Sequence, residues 1–351
     1  MVNTTESTDI LNQTPPQIAM LEMASSYWLS QCIYVAAKLG IADLLKEGAK
    51  SCDTLAAATA THRDSLYRLL RALASAGIFA ETEPNCYELT PLAVCLQSDV
   101  PESIRATCIM LGEEHYQAWG NVMHSVKTGG NAFEQRYNMP IFQYYRQNPL
   151  PAKIFEQAMS NGSVIENGAI SKAYDFSSIG KLVDVGGGYG SLIAVILQHN
   201  PAMTGVLFDE PYMIEKAEET SEISQVKERC QLVGGNFFES VPAGADAYLL
   251  KRIIHDWDDE KAIKILQNCH QAMGEKGRLL IIELVIPPEN NMGSFFLDMH
   301  MLVLTPGGRE RTQTQYRELL KAAGFKLTKI VPTQSGYSLI EGVPSRAEKS
   351  G

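Results

Sequence analysis

The sequence predicts an α/β protein in two parts: a doubly wound, mixed sheet in the back half, preceded by a mainly helical domain. Two observations carry this. From Lys181 onward short β-rich runs alternate with helical ones: Leu182–Val185, helix Leu192–His199, Gly205–Phe208, helix Tyr212–Ala217, Gln231–Val233, Ala247–Leu250, helix Glu260–Met273 and Arg278–Val285. Strands alternating with helices of this length make right-handed βαβ crossovers. Before Lys181 the apolar residues recur mostly at helical spacing. Phe325–Val331 and Tyr337–Glu341 are close enough to pair as an antiparallel edge, which makes the sheet mixed.

A chain of 351 residues, 45% apolar and 20% charged, buries a full core. Its formal charge of −10 argues against nucleic acid as a partner, since that affinity needs clustered Lys and Arg. The seven cysteines are scattered without a CxxC pair and read as free thiols of a reducing compartment. Residues 1–15 are Asn- and Thr-rich and lack a signal's apolar run; no later stretch reaches the ~18 apolar residues of a membrane span. The expectation is therefore a disordered tail, a cytoplasmic protein and no membrane partner.

From Pro16 to Leu45 the helical pattern is apolar nearly all round, so either a large core or a partner subunit must cover it. Ser51 to Gln97 reads as helix Thr54–Thr59, a break at Thr61–His62, helix Asp64–Ala76 stopped by Gly77, then strands Ile78–Glu81 and Tyr87–Leu89. That is the outline of a winged helix. A DNA-reading regulator is the rival class, yet residues 51–100 carry three arginines against six acids, the wrong balance for tracking phosphates.

At the end of the first strand of the back half, Asp184-Val185-Gly186-Gly187-Gly188-Tyr189-Gly190-Ser191 places a glycine-rich turn where doubly wound folds bind nucleotides. The glycines fall at 186, 188 and 190, not in the spacing that seats a pyrophosphate. Gly186 and Gly188 let the main chain approach a ligand, and the acidic Asp184 suits a cationic group better than a phosphate. A sulfonium carrying adenosine and an amino-acid tail, S-adenosylmethionine, fits that description. Asp209, at the end of the second strand, is placed to accept hydrogen bonds from both ribose hydroxyls.

Leu249 to Trp257 (LLKRIIHDW) puts a Lys, a His and an Asp at the carboxyl end of a strand, the ligand-facing side of such a sheet. His255 is the candidate base: imidazole with an ordinary pKa of ~6.5 is neutral enough at pH 7 to take a hydroxyl proton as the oxygen attacks. Either Glu283 or Glu310 is expected to hold its tautomer and stabilise the imidazolium. The same set has ligand-type side chains, but no HxH, HxxxE or second nearby His supports a coordination sphere, and no metal is expected.

The segments DVGGGYG (184–190), Phe208-Asp209, GNFFESVP (235–242), LKRIIHDW (250–257) and GGRERT (307–312) closely resemble the caffeic-acid-type and related bacterial small-molecule O-methyltransferases. The resemblance spans about residues 16–343. It implies a Rossmann-like methyltransferase domain over 179–345, a winged-helix domain for homodimerisation over 16–100, and helices over 101–178 that contribute to the substrate pocket. It also implies metal-independent transfer of the methyl group of S-adenosylmethionine, leaving S-adenosylhomocysteine, to a phenolic or enolic hydroxyl. His255 would be the base, Glu283 and Glu310 would bracket its ring, and the substrate hydroxyl would lie near Asp256. For the cofactor it assigns Gly186 to backbone approach, Asp209 to the ribose, Asn236 and Phe237 to the adenine, and Lys251 to a polar contact. Relatives usually carry Asp at 236; an amide still accepts through its carbonyl oxygen, so altered affinity is expected. The acceptor pocket would include Phe155, Met159, Met301 and Thr305. Gly162 and Thr305 stand where a plant relative has His and Asn, so the phenylpropanoid substrates of those enzymes are not carried over. A same-fold enzyme with N-methyl or non-methyl-transfer chemistry, and a cofactor-binding regulator, are the alternatives.

Overall fold

The computed structural model describes residues 14–345, so nearly all of the expected tail, 1–15, lies outside the described residues. The chain divides into two compact units, Met1–Glu114 with Lys153–Ala158, and His115–Ala152 with Met159–Gly351.

In the first unit the winged-helix outline is present. Helix Cys52–Thr59 is capped by Ser51, whose hydroxyl accepts from the Thr54 amide at 3.2 Å, and helix Arg63–Ser75 ends before Gly77 at φ +74°. Three strands form a sheet in the order β1–β3–β2, with β1 (Lys50–Ser51) before these helices and β2 (Phe79–Glu83) and β3 (Cys86–Leu89) after them, neighbours pairing antiparallel. Leu55, Leu66, Leu70, Leu73, Phe79 and Tyr87 fill the core between helices and sheet. The long apolar pattern at the start forms helices Pro16–Ser25 and Tyr27–Leu39, whose Met20, Leu21 and Trp28 stay more than 60% exposed. The first unit's own core therefore does not cover this face.

The second unit is built on a seven-stranded sheet. Its strands are β4 (Lys181–Val185), β5 (Thr204–Asp209), β6 (Cys230–Gly234), β7 (Ala247–Lys251), β8 (Arg278–Glu283), β11 (Phe325–Pro332) and β12 (Ser338–Pro344). The order is β11–β12–β8–β7–β4–β5–β6. Strands β4 to β8 pair in parallel, while β12 runs antiparallel to β8 and to the edge strand β11, the mixed sheet that the alternating runs predict. Both faces are covered: Leu182, Leu207, Leu249, Leu280 and Ile282 pack on one side, Val183, Val185, Tyr248, Leu250 and Ile281 on the other. Strands buried on both faces read as continuous apolar runs, which is why they stood out without alternation.

Strand β4 has β5 on one side and β7 on the other, so the chain reverses its winding there and the loops at the carboxyl ends of these strands open a crevice. The glycine turn, Asp209, Lys251 and Glu283 all sit at that edge. A short parallel pair, β9 (Val285–Ile286) with β10 (Arg311–Thr312), brings Glu310 back beside the end of β8.

Candidate active site

The glycine turn takes the shape its residues dictate. Gly186, Gly188 and Gly190 all have positive φ, at +72°, +57° and +77°. At Gly186 a Cβ would stand 2.5 Å from Ile253 Cδ1, whereas at Gly188 it would meet nothing within 4 Å, so the turn is tight beneath and open above. Asp209 closes it: one carboxylate oxygen accepts from the Gly188 amide at 2.8 Å and the other from the Glu210 amide at 2.7 Å. Burial holds the Asp209 carboxyl above its ordinary range, partly offset by those two bonds.

Asp184 lies behind the turn, 1% exposed, with both carboxylate oxygens lacking a hydrogen-bond partner among the described residues; burial pushes it up to about 7. An orphaned buried carboxylate of this kind is what a bound ammonium or sulfonium would offset. Open space over Gly188, an acceptor carboxylate at Asp209 and an unpartnered Asp184 suit S-adenosylmethionine.

Phe237 stands over Gly186 and meets the edge of Trp257 at 6.2 Å between ring centres. Asn236 shapes the same loop: its carbonyl oxygen accepts from the Phe238 amide at 3.0 Å and its amide nitrogen donates to Glu239 at 3.2 Å. Lys251 is tied down by Glu166 at 2.7 Å and Asn167 at 2.9 Å.

His255 sits on a single helical turn, Ile254–Asp256, after β7 and is 4% exposed. Its Nδ1 is 2.8 Å from Glu310 Oε1 and 3.5 Å from Glu283 Oε2, so Glu310 holds the ring directly. Glu283 acts mainly through the backbone: its Oε1 accepts from the amides of Ile253, Ile254 and His255 at 2.9–3.3 Å. Asp256 Oδ1 lies 3.8 Å from Nε2. Burial alone would lower the imidazole pKa, but the carboxylates of Glu283, Asp256 and Glu310 outweigh it and raise the ring to about 9. The ring is thus more basic than the ordinary imidazole assumed from sequence: the two glutamates expected beside it are joined by Asp256, and the three carboxylates act together. Among the described residues, His255, Glu283 and Glu310 are also the set whose possible metal-ligating atoms fall within 4.8 Å of one another. Both carboxylates approach Nδ1, the geometry of a hydrogen-bonded orienting pair.

Of the pocket residues expected from sequence, Met159, Met301 and Thr305 belong to the second unit. Met159 reaches the site region by accepting from Arg252 at 3.3 Å, and Met301 is 7% exposed. Thr305 is 4% exposed with its hydroxyl committed to the Met301 carbonyl at 2.8 Å, so it packs under the Pro306–Gly307–Gly308 turn. Phe155 belongs to the first unit.

Several positioning residues escaped the sequence reading. Arg311, 1% exposed, pins the His255 turn by donating to the carbonyls of Ile254 at 3.1 Å and Trp257 at 2.9 Å while pairing with Asp259 at 2.7 Å. His300 Nδ1 accepts from Trp119 Nε1 at 2.9 Å, and its ring lies 5.2 Å from that of His115. Burial, with the charges of His255 and Arg252, pushes His300 down to about 4. Their only signal was residue type, scattered over 181 positions from Trp119 to His300.

Gly308 locks this arrangement. A Cβ there would overlap Thr305 Oγ1 and come within 2.5 Å of the His255 carbonyl. Gly308→Ala is expected to cost about 1–3 kcal/mol of stability through overpacking and to lower kcat by moving the His255 turn. Thermal unfolding and turnover check this; wild-type values in both would mean the turn yields freely.

Comparison with known proteins matches residues 119–326 to the O-methyltransferase domain and residues 21–99 to the O-methyltransferase dimerisation domain. The chain is 43% identical to a phenazine O-methyltransferase of Lysobacter antibioticus over 331 residues, covering 94% of this chain and 97% of that one. It is 34% identical to a phenazine-1-carboxylate N-methyltransferase of Pseudomonas aeruginosa over 313 residues, 89% of this chain and 92% of that one. Among solved structures it superposes with a TM-score of 0.81, at 30% identity over 90% of this chain and 95% of the other, on an O-methyltransferase from neocarzinostatin biosynthesis in complex with S-adenosylmethionine and 2-hydroxy-5-methyl naphthoic acid. With these matches over the whole fold and a glycine turn suited to the cofactor, the chain belongs to the S-adenosylmethionine-dependent O-methyltransferase family.

Proposed function

We propose that this enzyme methylates a hydroxyl of a small aromatic or enolic molecule, with His255 as the general base. The observation that carries the reading is the His255–Glu310 pair: Nδ1 is held at 2.8 Å by a buried carboxylate, which leaves Nε2 as the nitrogen that exchanges a proton with the acceptor. When bound, S-adenosylmethionine supplies an electrophilic methyl group, which the acceptor oxygen takes as the carbon–sulfur bond breaks. Asp209 and the Gly188 turn would hold the ribose, Phe237 and Asn236 the adenine, and Lys251 would contribute a polar contact beside the cofactor. Glu283 fixes the backbone of the His255 turn, Glu310 fixes the tautomer, and the acceptor proton goes to Nε2.

A ring raised to about 9 holds a proton at pH 7. An acceptor entering as its anion meets the imidazolium, and one entering protonated meets the minority neutral ring. Both routes contain the same number of protons and reach the same complex. The strong base also suits phenols, whose ordinary pKa of ~10 lies close to that of the ring.

The sign of the pH dependence follows. Activity on a neutral phenol rises from pH 7 toward 9 as the ring loses its proton. Glu310→Gln removes one of the carboxylates that raise the ring, so the rising limb moves to lower pH, while the plateau kcat falls about 10-fold or more because the imidazolium loses its counter-charge. A pH profile of kcat/KM for both proteins checks this; a limb that stays in place would remove Glu310 from the tuning of His255.

The acceptor atom is tested by assaying hydroxy- and amino-substituted versions of one aromatic ring with labelled cofactor. Methylation of the hydroxyl supports the reading. Exclusive methylation of the amine would favour the N-transfer seen in the name of the Pseudomonas relative. Of the two acceptor types, the planar aromatic is in keeping with the phenazine and naphthoic acid named for two relatives. The exposed apolar face of helices Pro16–Ser25 and Tyr27–Leu39, inside the matched dimerisation domain, supports a homodimer.

A further inference from the structure

Arg252, which the mechanism above does not use, has an unusual setting. It is a non-glycine residue at φ +56°, a conformation that costs on the order of 1–3 kcal/mol and persists only where the surroundings enforce it. Its backbone amide is fixed by donating to the Ile282 carbonyl at 3.0 Å. The side chain is about a quarter exposed.

Its guanidinium is poorly satisfied. Five N–H donors are available, yet the hydrogen bond it makes to a protein side chain among the described residues goes to the Met159 thioether at 3.3 Å, a weak acceptor. Glu166 stays at 3.8 Å because that carboxylate is drawn to Lys251 at 2.7 Å. The Tyr337 ring lies 5.9 Å away and supplies a cation–π contact. With Nη2 on a weak acceptor and Nη1 only at ion-pair distance from Glu166, the guanidinium keeps strong donor capacity to spare.

Its position ties it to the acceptor side of the base. Asp256, whose carboxylate lies 3.8 Å from His255 Nε2, is within electrostatic reach of Arg252, and so are Glu283 and His300. The largest charge effects on it come from Tyr337, Glu166, Asp256 and Glu283. Met159, its sulfur contact, is one of the residues assigned to the acceptor pocket from sequence.

We propose that Arg252 binds a carboxylate of the acceptor, so that the molecule methylated is an aromatic acid whose carboxylate sits in the guanidinium fork while its neighbouring hydroxyl faces His255. The proposal rests on the hydroxyl-transfer reading. A planar fork matches a carboxylate in two parallel hydrogen bonds, and such charge-assisted pairs are about twice as strong as neutral ones. Neutral His300, with Nδ1 occupied by Trp119, presents only its Nε2–H as a second donor. Buried Asp256 also draws on Arg252, and burial raises its carboxyl above the ordinary range against the pull of His255 and Arg252.

The test compares an ortho-hydroxynaphthoic acid with the matching naphthol on the full-length enzyme. The wild type is expected to prefer the acid in kcat/KM, and Arg252→Gln to lower the acid-to-naphthol ratio by at least ~10-fold, as for loss of a hydrogen bond to a charged group. Arg252→Lys keeps the charge without the fork and should fall between, which preserves the test should the Gln variant fold poorly. An unchanged ratio overturns the proposal. So does a loss of S-adenosylhomocysteine affinity with the ratio intact, because the guanidinium would then serve the cofactor's own carboxylate. Methylation of the naphthol alone leaves hydroxyl transfer standing and overturns the role of Arg252; methylation of neither overturns both.

Discussion

His255→Gln is expected to reduce kcat on a phenolic acceptor at least ~100-fold while S-adenosylhomocysteine binds as in the wild type. Gln keeps an N–H donor for Glu310 Oε1, which lies 2.8 Å from Nδ1 in the wild type, so that oxygen stays hydrogen-bonded although the positive charge of the ring is lost. What it cannot do is accept a proton. A 100-fold loss corresponds to about 2.7 kcal/mol of transition-state stabilisation, within the range for a removed general base. The cofactor turn is built from Gly186, Gly188 and Asp209, none of which hydrogen-bonds to the imidazole, so calorimetric titration should separate binding from turnover. Wild-type turnover in the variant would remove His255 from the mechanism, whereas joint loss of binding and turnover would mean the substitution collapsed the loop.

The contrast between these two regions also explains what was legible in the sequence. The glycine turn and Asp209 could be read because their geometry is local: a strand end, a turn needing positive φ, and an acid at the next strand end in a parallel sheet. The sheet was legible for a related reason, since strands buried on both faces announce themselves as apolar runs. His255 could be picked out by its strand-end position. Its raised basicity could not, because Glu283 and Glu310 reach it across 28 and 55 positions of chain, and which of them touches the ring depends on the β9–β10 pairing. Arg311 and Arg252 were hidden for the same reason: a cation in a polar segment looks like surface until the fold buries it. The bond from the Thr305 hydroxyl to the Met301 carbonyl, and its contact beneath Gly308, likewise depend on the turn and not on residue type.

Asp209→Ala is expected to weaken S-adenosylmethionine and S-adenosylhomocysteine binding by at least ~100-fold, with NADH inert toward both proteins. Two losses combine. On the proposed binding mode the ribose hydroxyls lose a charged acceptor, and each hydrogen bond to a charged group contributes ~1.5–3 kcal/mol. The Gly188 amide also loses its partner at 2.8 Å, so the turn that must stay open above Gly188 is no longer held in its positive-φ shape. Asp209→Asn separates the two: its carbonyl oxygen can still accept from Gly188, preserving the turn, while the charge toward the ribose is gone, so an intermediate loss is expected. Titration of all three proteins with each ligand, beside thermal unfolding, decides among the outcomes. Equal losses in both variants would place the effect in the charge, an Asn variant close to wild type would place it in the turn, and full affinity in the Ala variant would mean the ribose is held elsewhere.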